Sequence, residues 1–117
     1  MNTPPQFPND TNGDVLRRMY GGGDDLTQPR MIDFCFIFSG RREALAFAGI
    51  VEDRDKEICI SYYDERGMWE VVAKHYMVPD HGGITAMETS LAAVAGSVGG
   101  KADGWGCMEI KSGGRAE

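Results

Sequence analysis

The run Met31–Phe38 constrains the fold more than any other part of this chain. Ile32, Phe34, Phe36 and Phe38 alternate with Asp33, Cys35 and Ile37, a period of two that sends the two sets to opposite faces of a strand. Three phenylalanines on one face call for a layer of helices over it. The opposite face, with Cys35 and Ile37, is also fairly apolar and calls for a cover of its own.

The neighbouring segments supply the helices. Ser39 can cap a helix that starts near Gly40, carries Leu45, Phe47 and Ala48, and ends around Gly49. Beyond the charged connector Glu52–Glu57, the runs Glu57–Tyr63 and Met68–Val78 read as strands. Asp64-Glu65-Arg66-Gly67 joins them at hairpin length, with a glycine where a positive φ is often needed. Pro79 stops the second run, because proline cannot donate to a sheet ladder. Asp80 or His81 then caps a long helix whose Ile84, Met87, Leu91, Val94 and Val98 recur every three or four residues. Gly99-Gly100 ends it, and Lys101–Ile110 forms a glycine-interrupted last strand.

Ahead of this unit lies a short helix. Asn12 serves as its N-cap, Asp14 suits the first turn, and Val15, Leu16, Met19 and Tyr20 form its apolar stripe. Gly21-Gly22-Gly23 stops it, and a loop follows from Asp24 to Pro29. Residues 1–11 hold three of the five prolines and read as a flexible arm; residues 112–117 form a short polar tail. The single domain therefore spans 12–111, with the order helix, then β-α-β-β-α-β. That order predicts a ferredoxin-like α+β fold: a four-stranded antiparallel sheet with two helices on one face and the extra N-terminal helix. Right-handed crossovers put the first and third strands in the centre. The N-terminal helix, a second copy in a homodimer, or a partner protein is expected on the helix-free face.

Charge narrows the function. With 12 Lys+Arg against 18 Asp+Glu the chain carries −6, which argues against a protein that grips phosphate backbones. No apolar run approaches the roughly 18–20 residues that cross a bilayer, and the N-terminus shows no export signal. A cytoplasmic protein without membrane contact is expected. Cys35, Cys59 and Cys107 include no C-x-x-C pair, so zinc and dithiol chemistry lack support, and reduced, buried thiols are expected.

Catalytic patterns are equally sparse. His75 and His81 stand six residues apart, outside the spacing of a strong metal pair, and no spacing singles out an acid/base couple among the carboxylates. No catalytic residue, cofactor or metal ligand is assigned. An enzyme with a pocket around His75 and Cys59 on the open sheet face is the alternative reading. An RNA-recognition module, which shares the βαββαβ order, is the third. Of that module's third-strand pattern Arg66, Gly67 and Val71 match, while Met68, Trp69, Glu70 and Ala73 do not. The glycine runs 21–23 and 82–83 lack phosphate-cradle spacing and read as helix punctuation.

The most informative cluster is Asp103-Gly104-Trp105-Gly106, followed by Cys107. A tryptophan between two glycines can close the edge of the core on a bulged strand. It can also anchor a partner, since Trp is enriched in interface hot spots and flanking glycines leave the indole accessible. Asp103, Gly104, Trp105 and Gly106 are thus the candidate partner-binding residues.

Here the chain resembles the regulator of ribonuclease activity B (RraB) family, bacterial protein inhibitors of ribonuclease E. The resemblance rests on Asn12-Gly13-Asp14-Val15-Leu16, Gly23-Asp24-Asp25, Pro29–Phe38 with Ile32-Asp33-Phe34, Met77-Val78-Pro79 leading into Ile84–Leu91, and Asp103-Gly104-Trp105-Gly106. It spans about residues 12–110, and the Asp-Gly-Trp-Gly tetrad is its most specific part. The resemblance implies a ferredoxin-like domain that binds the non-catalytic scaffold portion of ribonuclease E, changes which transcripts are degraded, and has no catalysis of its own. Better-known members end in a strongly acidic tail, whereas this chain ends Lys111-Ser112-Gly113-Gly114-Arg115-Ala116-Glu117.

Overall fold

The computed structural model describes residues 6–52 and 57–111; residues 1–5 of the arm, 53–56 of the charged connector and the tail 112–117 lie outside the described residues. Seven elements follow one another: α1 (Thr11–Gly21), β1 (Arg30–Phe38), α2 (Arg41–Glu52), β2 (Glu57–Tyr63), β3 (Met68–Met77), α3 (His81–Ser97) and β4 (Lys101–Cys107). The strands form one antiparallel sheet in the order β2-β3-β1-β4. This is the ferredoxin-like α+β arrangement, with β1 and β3 in the centre.

The alternation of β1 decides the layering. Ile32, Phe34, Phe36 and Phe38 are all buried, and they meet Phe47 and Val51 of α2 and Ile84, Leu91 and Ala95 of α3. Phe47 stands 5.0 Å from Phe36 and 5.2 Å from Phe38, ring centre to ring centre and tilted, the offset geometry aromatic pairs prefer. Across the sheet β3 contributes Val71 and Ala73, which pair in register with Phe36 and Phe34. Truncating one of these phenylalanines to alanine costs about 3–5 kcal/mol.

Three boundaries differ from the sequence reading by more than one residue, each for a local reason. Asp10, not Asn12, is the N-cap of α1: its carboxylate accepts from the Gly13 amide at 2.8 Å. Asn12 lies inside the helix and uses its side chain elsewhere. Helix α2 runs through Gly49 to Glu52, because Val51 adds another buried residue to its inner stripe. Strand β4 stops at Cys107 and not at Ile110; the chain beyond turns back to meet Asp24 and Asp25.

The N-terminal helix does not cover the helix-free face. It joins the helical layer, burying Leu16 in the core and lying against α3. Gly13 lets the preceding chain fold close over the first turn of α1, since a Cβ there would come within 1.8 Å of the Pro8 carbonyl oxygen. The sheet's second face is therefore bare of helices.

Candidate functional site: strand β4 and the open sheet face

Strand β4 lies on the edge of the sheet beside β1, and its register slips by one residue. Trp105 pairs with Phe34, whereas Ala102 pairs with Phe36, so the bulge falls at Asp103-Gly104. Gly104 sits at φ +103°, a conformation that residues with a Cβ rarely adopt. The bulge sends the tetrad's side chains in different directions.

Trp105 faces the helices. Its indole is half-buried against the core, and its Nε1–H donates to Asn12 Oδ1 at 2.8 Å. Asn12 Nδ2 in turn donates to Thr85 Oγ1 and to Glu88 Oε1, both at 3.1 Å. One amide therefore ties α1, α3 and β4 together. The two stretches Asn12–Leu16 and Asp103–Gly106, far apart in sequence, meet in that hydrogen bond.

Asp103 lies toward the open face. It receives Arg66 of the β2–β3 hairpin at 2.8 Å. The two partners reach each other from opposite sides of β1, and beneath them Ile37 is only 3% exposed although no helix covers it. Gly106 also belongs to this face, opposite Asp33, and a Cβ built on it would meet nothing within 4 Å. The structure thus brings Asp103 and Gly106 to the open face and turns Trp105 away from them.

Beside Gly106 the open face is hollowed into a groove of about 480 Å³ lined by Met31, Asp33, Lys74, Gly106, Cys107 and Met108. Lys74 bonds Asp33 at 3.2 Å across it, and this hydrogen bond raises the Lys74 pKa. Around it Met31 is 38%, Tyr76 62% and Met108 80% exposed. Flexible thioethers at this exposure suit a surface that moulds itself to a partner. The sequence pattern does not reveal the groove, since it counts Met108 in the last strand, whereas β4 ends at Cys107.

The Gly-Asp-Asp step has a structural role. Asp24 is buried and pairs with buried Arg30 at 2.9 Å. Arg30 also donates to the carbonyls of Met108 and Asp25 at 2.9 and 2.8 Å. A buried pair this well hydrogen-bonded clamps the segment after β4 to the loop before β1, and removing one partner costs about 3–5 kcal/mol.

The two residues of the enzyme alternative do not converge. His75 pairs with Ile32 and lies on the helix side, whereas Cys59 pairs with Val72, opposite Cys35, on the other side of the sheet. The stacking platform of an RNA-recognition module also has no counterpart on β1, whose three phenylalanines all face the helices. Among the described residues, no three His, Cys, Asp or Glu side chains are grouped to hold a metal ion, and no helix is long and apolar enough to cross a membrane.

The family model described as regulator of ribonuclease activity B matches residues 9–107, most of the chain and every element of the fold. The chain belongs to the RraB family. No curated protein matches it. RraB membership makes it a regulator of ribonuclease activity, and two of the segments that carry the RraB resemblance, one of them the Asp-Gly-Trp-Gly tetrad, are joined by the Asn12–Trp105 bond.

Proposed function

We propose that the protein is a non-catalytic, cytoplasmic regulator that binds ribonuclease E, through that enzyme's scaffold region, and thereby modulates RNA degradation. The contact uses the open sheet face along β4, with Asp103 and Gly106 on that face and the Asp103–Gly104 bulge and Trp105 shaping the strand beside it. The observation that carries this reading is the apolar rim of Met31, Tyr76 and Met108 around the Gly106 groove, on the side that α1 leaves uncovered. Exposed apolar patches of this kind mark contact surfaces. The chain's −6 charge supports a basic partner, because complementary charge speeds encounter.

Titration calorimetry against the purified scaffold region at low and high salt tests the proposal. Binding that weakens as salt rises is expected, since exposed charges are screened over a Debye length of about 8–10 Å near physiological salt. Absence of binding at low salt overturns it. A second copy of the chain is the other occupant of this face. The two would exclude each other, so light scattering of the chain alone and with the scaffold region tells them apart.

A further inference from the structure

Ile37 is buried for a reason that the layering of the fold does not supply. It lies on the face of β1 that no helix covers, yet it is only 3% exposed, whereas Met31 on the same face of the same strand is 38% exposed. Its neighbours in register are Glu70 of β3 and Lys101 of β4. Neither makes an ion pair among the described residues.

The pair Arg66–Asp103 lies over this end of the face. Arg66 comes from the hairpin between β2 and β3, Asp103 from the bulge of β4, and they meet at 2.8 Å from opposite sides of β1. To reach Asp103 the arginine crosses β1, and its apolar methylene stem is suited to lie on an aliphatic side chain while the charged head stays in water. Little holds it there. The two side chains are 41% and 31% exposed, and residues 64–67 of the turn are all exposed. The Gly67 amide donates to the Tyr63 carbonyl at 2.9 Å, so the turn keeps its shape and only the Arg66 side chain has to move. The Tyr63 ring, 5.9 Å from the guanidinium carbon, gives the cation a neighbour on its own side of β1. An ion pair exposed to this degree favours its closed form by at most about fivefold.

We propose that Arg66 is an autoinhibitory strap across the open sheet face. Closed, it occupies Asp103 and covers Ile37; open, it releases both to the partner that docks there. The proposal rests on the reading that this face engages a ribonuclease, and it adds what controls that contact. The two members of one ion pair then act in opposite senses, because the partner uses Asp103 but has to displace Arg66.

Two measurements on the full chain test it. The first needs no partner: methyl NMR follows the relaxation of Ile37 by a neutral, soluble gadolinium chelate. The native methyl should be shielded at low salt. Relaxation should rise in Arg66→Gln, and in the native chain at high salt, where the pair is screened. The second is calorimetry against the purified ribonuclease E scaffold region at one salt concentration. Arg66→Gln should bind up to about fivefold more tightly than the native chain, since no strap has to be displaced, whereas Asp103→Ala should bind more weakly. Both variants should melt near the native temperature, because each loses only an exposed pair. An Ile37 methyl that stays shielded in Arg66→Gln overturns the proposal. So does unchanged affinity in Arg66→Gln, or a shift in the same direction in both variants. If the native chain fails to bind the scaffold region while Arg66→Gln uncovers Ile37, the ribonuclease reading falls and the strap stands.

Discussion

Asn12 shows how a residue's role depends on what it meets in space. Its identity favours an N-cap, yet Asp10 takes the cap and leaves the Asn12 amide free to bond Thr85, Glu88 and Trp105. Asn12→Ala should therefore cost about 1–3 kcal/mol, because the half-buried indole N–H loses its acceptor. Trp105→Phe should soften the effect of Asn12→Ala in a double-mutant cycle, which thermal melts would measure. Equal, additive losses would show that the bond contributes little. Cys35 makes a second prediction at this scale. Burial first, then the carboxylates of Glu70, Asp33 and Asp103, push its thiol from an ordinary 9.0 up to about 11. The folded protein thus holds a proton that the unfolded chain releases, so this contribution to stability falls as pH rises from about 9 to about 11. Alkaline melts of Cys35→Ala should decline less over that window than those of the native chain. Thiol reagents at neutral pH should also reach exposed Cys59 before half-buried Cys35.

At the scale of elements, patterning was legible wherever one face of an element meets the core. The alternation of Ile32, Phe34, Phe36 and Phe38 and the stripe through Ile84 and Leu91 both report burial directly, and both match the structure. Caps and ends were less legible, because Asp10, Thr11 and Asn12 are all competent at a helix start, and the partners that engage Asn12, Thr85, Glu88 and Trp105, are remote in sequence. The candidate site was harder still. The tetrad drew notice through its glycines, but their reasons differ: Gly104 answers a positive φ, whereas Gly106 leaves room on the open face. No sequence pattern tells these apart, since the bulge that separates them depends on pairing with β1. Space around a glycine also sets the sign of substitution. A Cβ on Gly100 would come within 2.1 Å of the buried Phe38 ring, so Gly100→Ala should destabilise by about 1–3 kcal/mol through overpacking. Gly49, exposed in the middle of α2 with nothing near its Cβ position, behaves oppositely. Gly49→Ala should stabilise by about 0.5–1 kcal/mol. Melting both variants checks the pair, and a rise in both would mean that Phe38 moves aside freely.

At the scale of the whole molecule, the placing of α1 determines which surface is available. Because α1 completes the helical layer, the sheet is covered on one side only, and one strand face and two sheet edges stay free of helices. Trp105 supports that surface from behind. Truncating it removes packing against the core as well as the Asn12 bond, so Trp105→Ala should lower the melting temperature, and weakened binding in that variant would have two causes. Gly106→Phe isolates one of them. The added ring points into open space on the groove side, and position 106 needs no positive φ, so folding should stay near native while the groove is filled. Asp103→Ala removes only a half-exposed ion pair with Arg66, worth about 0–1 kcal/mol of stability. If β4 and the open face engage the ribonuclease, Gly106→Phe should weaken binding by at least about 30-fold, the scale of an interface hot spot. Its melting curve should overlay the native one. Asp103→Ala should weaken binding less and flatten its salt dependence, since one of the charges that steers the encounter is gone. Native affinity in Gly106→Phe would mean that the groove is not the contact, and would move the search for the ribonuclease-binding surface to another part of the molecule.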